Sequence, residues 1–148
     1  QWTAQAGLTL HPDKTHIVEA TEGAFDFLGY TFSCGYRYPR EKSLRKLKDI
    51  IRRKTKRRNG DSLQVTIAQL NPTLRGWFEY FKHSQPRTFE PIDGWIRMRL
   101  RTILRRRHKR KGRGVGWDHF RWKNAYFAER GLYSLQQAHV SACQPSSR

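Results

Sequence analysis

Positive charge gathered into two blocks is the feature that most constrains this chain. From Arg37 to Arg58 there are twelve basic residues and two acids, and from Arg97 to Arg113 ten basic residues and no acid, giving +10 in each block. The whole 148-residue chain carries +18, so the remainder is slightly acidic. A solvated helix face or a disordered tail is the plain reading of one such block. Two blocks interleaved with aromatic segments point instead to a polyanion, nucleic acid before any other. Five Trp, eight Phe and six Tyr exclude a disordered tail. No run approaches the roughly 18 apolar residues of a membrane span. A surface-bound membrane helix is disfavoured because Trp and Phe fall at core spacing beside the charge.

The two cysteines, Cys34 and Cys143, stand too far apart for a disulfide framework or a zinc ribbon. The first ten residues lack a basic start followed by an apolar core. A reducing intracellular setting is therefore expected. The chain begins Gln1-Trp2 and its one methionine is Met98, so either an initiator has been processed away or the chain is a piece of something longer.

Local patterns divide the chain. Pro12-Asp13 marks a turn before a short strand at Thr15–Ala20, and Glu22-Gly23 marks another. Phe25, Phe27, Tyr30 and Phe32 alternate with a phase break at Leu28-Gly29, which predicts a strand bent or bulged at Gly29. These segments suggest a small antiparallel hairpin ending near Tyr38-Pro39. From Ser43, a plausible N-cap, the period becomes helical. Leu44, Leu47, Ile50 and Ile51 form the apolar stripe, with Arg45, Arg52 and Lys56 opposite. Asp49 is expected to pair with Arg45 and Arg53, four residues to either side. Asn59-Gly60 ends this helix, and Asp61 or Ser62 caps a short second one carrying Leu63, Ile67 and Leu70.

Asn71-Pro72 predicts a third helix start, with Leu74, Trp77, Phe78 and Phe81 on its buried face. Gly76 on the far side is expected to admit another backbone. Beyond Ser84-Gln85-Pro86 a fourth helix is predicted over 92–107, its apolar stripe Ile92, Trp95, Ile96, Leu100 and Ile103. Arg97, Arg101 and Arg105 fall opposite at i, i+4 and i+8. Such like charges repel by about 0.2–0.5 kcal/mol per pair, so an external anion is expected to satisfy them. Arg99 falls within the apolar stripe, as the partner of a carboxylate. Residues 108–116 read as a flexible basic loop, Trp117–Phe127 as a last helix, and a short amphipathic end follows to Ala142.

Catalytic signals are sparse. No acids form a spaced pair for two metals. His119 beside Asp118 could be read as a nuclease base, but a surface turn next to Trp117 is preferred. His11 and His16 flank Asp13 and are read as structural. Gly112-Arg-Gly-Val-Gly116 follows no strand, so it is a loop able to lie against RNA backbone and not a nucleotide-binding loop. The aromatic segment from Arg113 to Trp122 is the candidate for discriminating one RNA from another. These residues describe a binding module.

Gly7-Leu-Thr-Leu-His-Pro-Asp-Lys14-Thr, followed by Phe25-Asp-Phe-Leu-Gly-Tyr-Thr-Phe32, resembles the last two conserved blocks of a reverse transcriptase palm. Leu70-Asn-Pro-Thr-Leu-Arg-Gly-Trp-Phe-Glu-Tyr-Phe81 resembles the maturase, or X, domain of group II intron-encoded reverse transcriptases. Asp93-Gly-Trp-Ile-Arg-Met-Arg-Leu-Arg101, Gly131-Leu-Tyr-Ser-Leu135 and Ala142-Cys-Gln144 fit the same family. The resemblance implies a mainly α (α+β) fold, a short N-terminal β-hairpin from the palm followed by a basic helical thumb/maturase bundle. It divides the chain into 1–40 (end of the palm), 41–142 (thumb and maturase domain) and 143–148 (disordered tail). Without Cys pairs near its end, the chain resembles the type that lacks a zinc-bearing endonuclease.

The resemblance assigns Phe27, Leu28, Gly29 and Tyr30 to the primer grip. RNA contacts are expected from Arg45, Lys48, Arg52, Lys56, Arg57, Arg58 and Arg75 in the first half of the chain. Arg97, Arg101, Arg105, Arg106, Lys109, Arg110, Lys111 and Arg113 are expected to supply the rest. The implied partner is group II intron RNA, with an RNA/DNA template-primer for the full-length protein, in a bacterial cytoplasm. The family's metal-binding acids lie in a Tyr-x-Asp-Asp loop, and this sequence has no Asp-Asp pair. Polymerase activity and its Mg2+ are thus expected of a full-length parent and not of this chain alone. The alternative is an unrelated basic nucleic-acid-binding protein with no intron role.

Overall fold

The computed structural model describes Gly7 and residues 23–58 and 60–144. The expected turn at Pro12-Asp13, the strand Thr15–Ala20, His11, His16 and residues 145–148 lie outside the described residues. A three-stranded antiparallel meander comes first: β1 (Phe25–Phe27), β2 (Tyr30–Ser33) and β3 (Tyr36–Pro39). Phe25 pairs with Phe32 and Phe27 with Tyr30, so the chain reverses at Leu28-Gly29 and does not merely bend there. Leu28 and Gly29 have φ of 48° and 81°, and Cys34 and Gly35 at the next reversal 49° and 77°. Two central residues with positive φ match the twist of the flanking strands, which is why two-residue hairpin turns take this form. A Cβ on Gly29 would find only ordinary contacts, 3.5 Å from the Tyr80 ring and 3.6 Å from Ser43 Oγ. Its backbone angle, and not crowding, demands glycine.

The helices follow as α1 (Glu41–Lys54), α2 (Leu63–Phe81), α3 (Phe89–Arg107), α4 (Trp117–Arg121), α5 (Asn124–Glu129) and α6 (Leu135–Cys143), with a 3-10 turn at Pro86–Thr88. The fold is mainly helical behind an N-terminal hairpin sheet, as the sequence predicts. α1 begins two residues before Ser43, whose hydroxyl reaches back to the Gly29 carbonyl at 3.4 Å instead of capping. Leu47 and Ile51 are its buried residues, facing α2. Asp49 pairs with Arg52 at 2.6 Å and Arg45 with Glu41 at 2.5 Å, in place of the expected pairs of Asp49 with Arg53 and Arg45. The helix stops at Lys54, before Asn59-Gly60. Thr55 closes it, donating its hydroxyl to the Ile51 carbonyl at 2.7 Å.

The second and third predicted helices are one. Ser62 caps α2 by accepting from Val65 N at 3.2 Å, and the helix then runs through Pro72. An internal proline loses a backbone hydrogen bond and costs about 3 kcal/mol. Leu70 and Leu74, both 0% exposed, flank it and hold the helix in the core. Asn71 is drawn away from capping by a distant loop: its amide donates to Gly131 O at 2.8 Å and accepts from Tyr133 N at 2.9 Å. Gly76 meets no other backbone. Phe78 and Phe81 are buried, whereas Trp77 is only half-buried.

The core gathers α1, α2 and α3 around Leu47, Ile51, Ile67, Leu74, Ile96 and Leu100. α3 starts three residues earlier than predicted. Its Asp93, 3% exposed, accepts from Ser134 Oγ at 2.7 Å and from the backbone N–H groups of Leu135 and Gln136 at 3.0 Å each. A carboxylate on one helix thus satisfies the free donors at the start of another. The expected last helix is broken at Trp122 into α4 and α5. The sheet docks on the end of α2, where Tyr30 and Phe81 rings lie 5.1 Å apart. Tyr80 donates to Leu28 O at 2.6 Å.

Candidate nucleic-acid interface

The end of α1 with residues 55–58, the middle of α3, and the loop 108–113 converge on one side of the molecule. They enclose two basins of about 300 Å³ each. The first is lined by Arg52, Thr55, Arg57, Trp95, Met98, Arg99, Thr102 and Arg113. The second is lined by Arg57, Thr102, Arg106, Lys109, Arg110, Lys111 and Gly112. Arg57 and Thr102 belong to both, so the basins form one trough with eight cations and no acid in its lining.

Thr55 and Trp95 organise its floor. Thr55, 1% exposed, accepts from Arg99 Nε at 2.6 Å, and its carbonyl accepts from Arg99 Nη2 at 3.2 Å. The same side chain closes α1, so the end of one helix fixes a guanidinium on another. Arg99, Arg52 and Lys48 lie 5.4, 5.6 and 5.9 Å from the centre of the Trp95 ring. The negative face of an indole partly offsets such crowding. Burial first, and then the Arg52 and Arg57 charges, pull the Arg99 pKa below the ordinary arginine value. The trough disfavours its own charge, and a bound anion would reverse that.

The predicted contact residues separate into groups. Arg52, Arg57, Arg106, Lys109, Arg110, Lys111 and Arg113 line the trough, with Lys48 at its edge over Trp95. Arg45, Lys56 and Arg58 are exposed on α1 and the connection after it. Arg75 is exposed elsewhere, over the Tyr133 ring at 5.6 Å.

The stripe of Arg97, Arg101 and Arg105 is not the exposed phosphate face expected of it. Arg101 is 2% exposed, donating to Trp122 O and to Asn124 Oδ1 at 2.8 Å each. Its guanidinium also sits 5.2 Å from the Phe127 ring centre. Burial, and then Arg97, lower its pKa, against the opposing pull of Asp118. Arg105 pairs at 2.7 Å with Asp118, which is 1% exposed, and Arg97 is half-buried. The anion expected outside is replaced by acceptors from residues 111–124 of the chain itself. Asp118 is thereby structural, and His119 stays exposed beside it.

Arg99 was expected to meet a carboxylate and meets Thr55, making it a trough residue that charge-stripe reasoning omits. Its signal in the sequence is Trp95 four residues earlier, at cation–π spacing on a helix. The loop 108–116 is tied down at Gly114, whose N–H donates to Thr102 Oγ1 at 3.0 Å. A Cβ there would lie 2.5 Å from Arg101 Cβ, so only glycine lets the loop lie on α3.

At the other end of the molecule, the Leu28-Gly29 turn presents Phe27 and Leu28 to solvent at 59% and 68% exposure. Gly29 and Tyr30 pack inward, the Tyr30 hydroxyl donating to Tyr80 O at 2.5 Å. Burial raises the Tyr30 pKa above the usual phenol value. No three His, Cys, Asp or Glu side chains among the described residues group so as to hold a metal ion. No helix among the described residues is long and apolar enough to cross a membrane.

A family model, Group II intron, maturase-specific domain, matches residues 44–126. These residues span α1 to α5 and contain the whole trough. No curated protein matches the chain.

Proposed function

Since the chain belongs to the group II intron maturase-specific family, with the role in intron splicing this suggests, we propose that the trough binds intron RNA. Eight cations on three segments, unrelieved by any acid in the lining, carry this reading. Phosphates entering the trough relieve the mutual repulsion at Arg99 and neutralise charge where the intron backbone folds closely on itself. The RNA keeps the splicing chemistry, and the protein supplies binding energy. A basic nucleic-acid protein without an intron role would need no such family domain.

Binding of the full chain to a group II intron transcript across a salt series tests the proposal. If about six to eight phosphates are neutralised, log K should fall against log salt with a slope of about −4 to −7. An affinity nearly independent of salt would sink it. In a longer parent, the resemblance gives Phe27, Leu28, Gly29 and Tyr30 the role of holding the primer end during RNA-directed DNA synthesis. Two exposed apolar side chains on a turn pinned to α2 support that role. Primer extension on an RNA/DNA template-primer by a chain carrying the acidic metal loop, with and without Leu28→Asp, is its test.

A further inference from the structure

We infer that Trp117 and Phe120 form a stacking platform for unpaired RNA bases beside the trough. The inference rests on the RNA-binding reading above and adds to it a second, uncharged mode of contact. Trp117 is 82% exposed and Phe120 70%, more than any other large apolar side chain among the described residues. Their ring centres lie 5.6 Å apart, and Val115 beside them is 55% exposed.

The segment beneath the rings is fixed. Asp118, between them in sequence, is anchored inward by Arg105 at 2.7 Å. Trp122 is 5% exposed, and its carbonyl accepts from the buried Arg101. Gly114 pins the preceding loop to α3. Two rings held out on so firm a base are presented, and not loosely packed.

Charge selects the occupant. Lys109, Arg110, Lys111, Arg113, Arg121 and Lys123 flank the rings in sequence, and the one acid between 108 and 123, Asp118, is buried. The surface therefore asks for a ligand that is anionic and flat together. Unpaired nucleotides are both, whereas a duplex keeps its base faces stacked internally. Arg113 lines the trough four residues before Trp117, so one strand could lay phosphates in the trough and bases on the rings.

Three RNAs at one salt concentration test this: a single-stranded 10-mer, the same strand with abasic riboses, and a 10-base-pair duplex. The full chain should bind the base-bearing strand about 10-fold or more tightly than the abasic strand, which has the same charge. Trp117→Ala with Phe120→Ala should bind both strands alike and bind the duplex within about twofold of the parent. The parent's own preference is read without any variant, so it does not depend on how the variant folds. Equal binding of the two strands by the parent overturns the platform while leaving the trough intact. A variant that keeps the preference and loses only binding to phosphatidylglycerol vesicles overturns it as well, in favour of lipid. If the parent binds none of the three RNAs, the RNA-binding reading itself fails.

Discussion

On α1, Arg45 reaches into solvent and Arg52 stays half-exposed at the trough over Trp95, each with one exposed acid a turn away. Arg101 and Arg105 on α3 turn inward, onto a carbonyl, an amide oxygen and a buried carboxylate. The two stripes look alike as sequence, with cations at helical spacing opposite an apolar stripe. What separates them is the chain that comes later. Among the described residues nothing folds over the outer side of α1, whereas residues 111–129 return over α3 with acceptors placed for its arginines. Repulsion along a helix shows that a partner is needed. Whether that partner is internal or a ligand depends on segments far away in sequence.

Three variants press on this contrast, and the largest effect belongs to α3. Arg101→Met should lower stability by about 3 kcal/mol or more, since two charge-assisted hydrogen bonds are lost and their buried acceptors stranded. Urea unfolding measures it. An unchanged midpoint with a salt slope shallower by about one phosphate would return Arg101 to the RNA-binding face. Gly114→Ala comes next, at about 1–3 kcal/mol, because its Cβ would lie 2.5 Å from Arg101 Cβ and 2.8 Å from the Arg101 carbonyl carbon. Thermal melting of that variant shows whether the returning loop helps hold α3. The smallest stability effect is expected on α1. Arg45→Gln, Arg52→Gln and Lys56→Gln together should move stability by less than about 0.5 kcal/mol, because exposed ion pairs contribute little. The same triple variant should make the salt slope of RNA binding shallower by about 2–3. Any larger loss of stability would mean that the α1 stripe is structural too.

Local rules carried furthest where the partner was local. The apolar stripe of α1, the Ser62 cap and the break before α3 are legible from spacing and capping chemistry alone. Asn71-Pro72 misleads because a good start signal was overridden twice. Core leucines on either side hold the helix together, and the Asn71 amide is claimed by Gly131 and Tyr133, sixty residues and more away. Leu28-Gly29 misleads because leucine rarely adopts positive φ, so the turn looks like a flaw in one strand. At the interface, the two charged blocks disclose the trough's composition, and even its loop. They do not disclose that Arg99 belongs to it or that Arg101 does not. Those assignments turn on Thr55 and Trp122, which no pattern of charge reveals.

Asp93 makes the last helix depend on an earlier one. α6 has nine residues, too few to be stable as an isolated helix in water. Its first turn is satisfied by a carboxylate that sits 41–43 positions earlier, on α3. Beside the Ser134 cap of its own, α6 therefore gains these bonds only where α3 is in place. The last helix is thus tied to the third, since its start is capped by a carboxylate that α3 supplies.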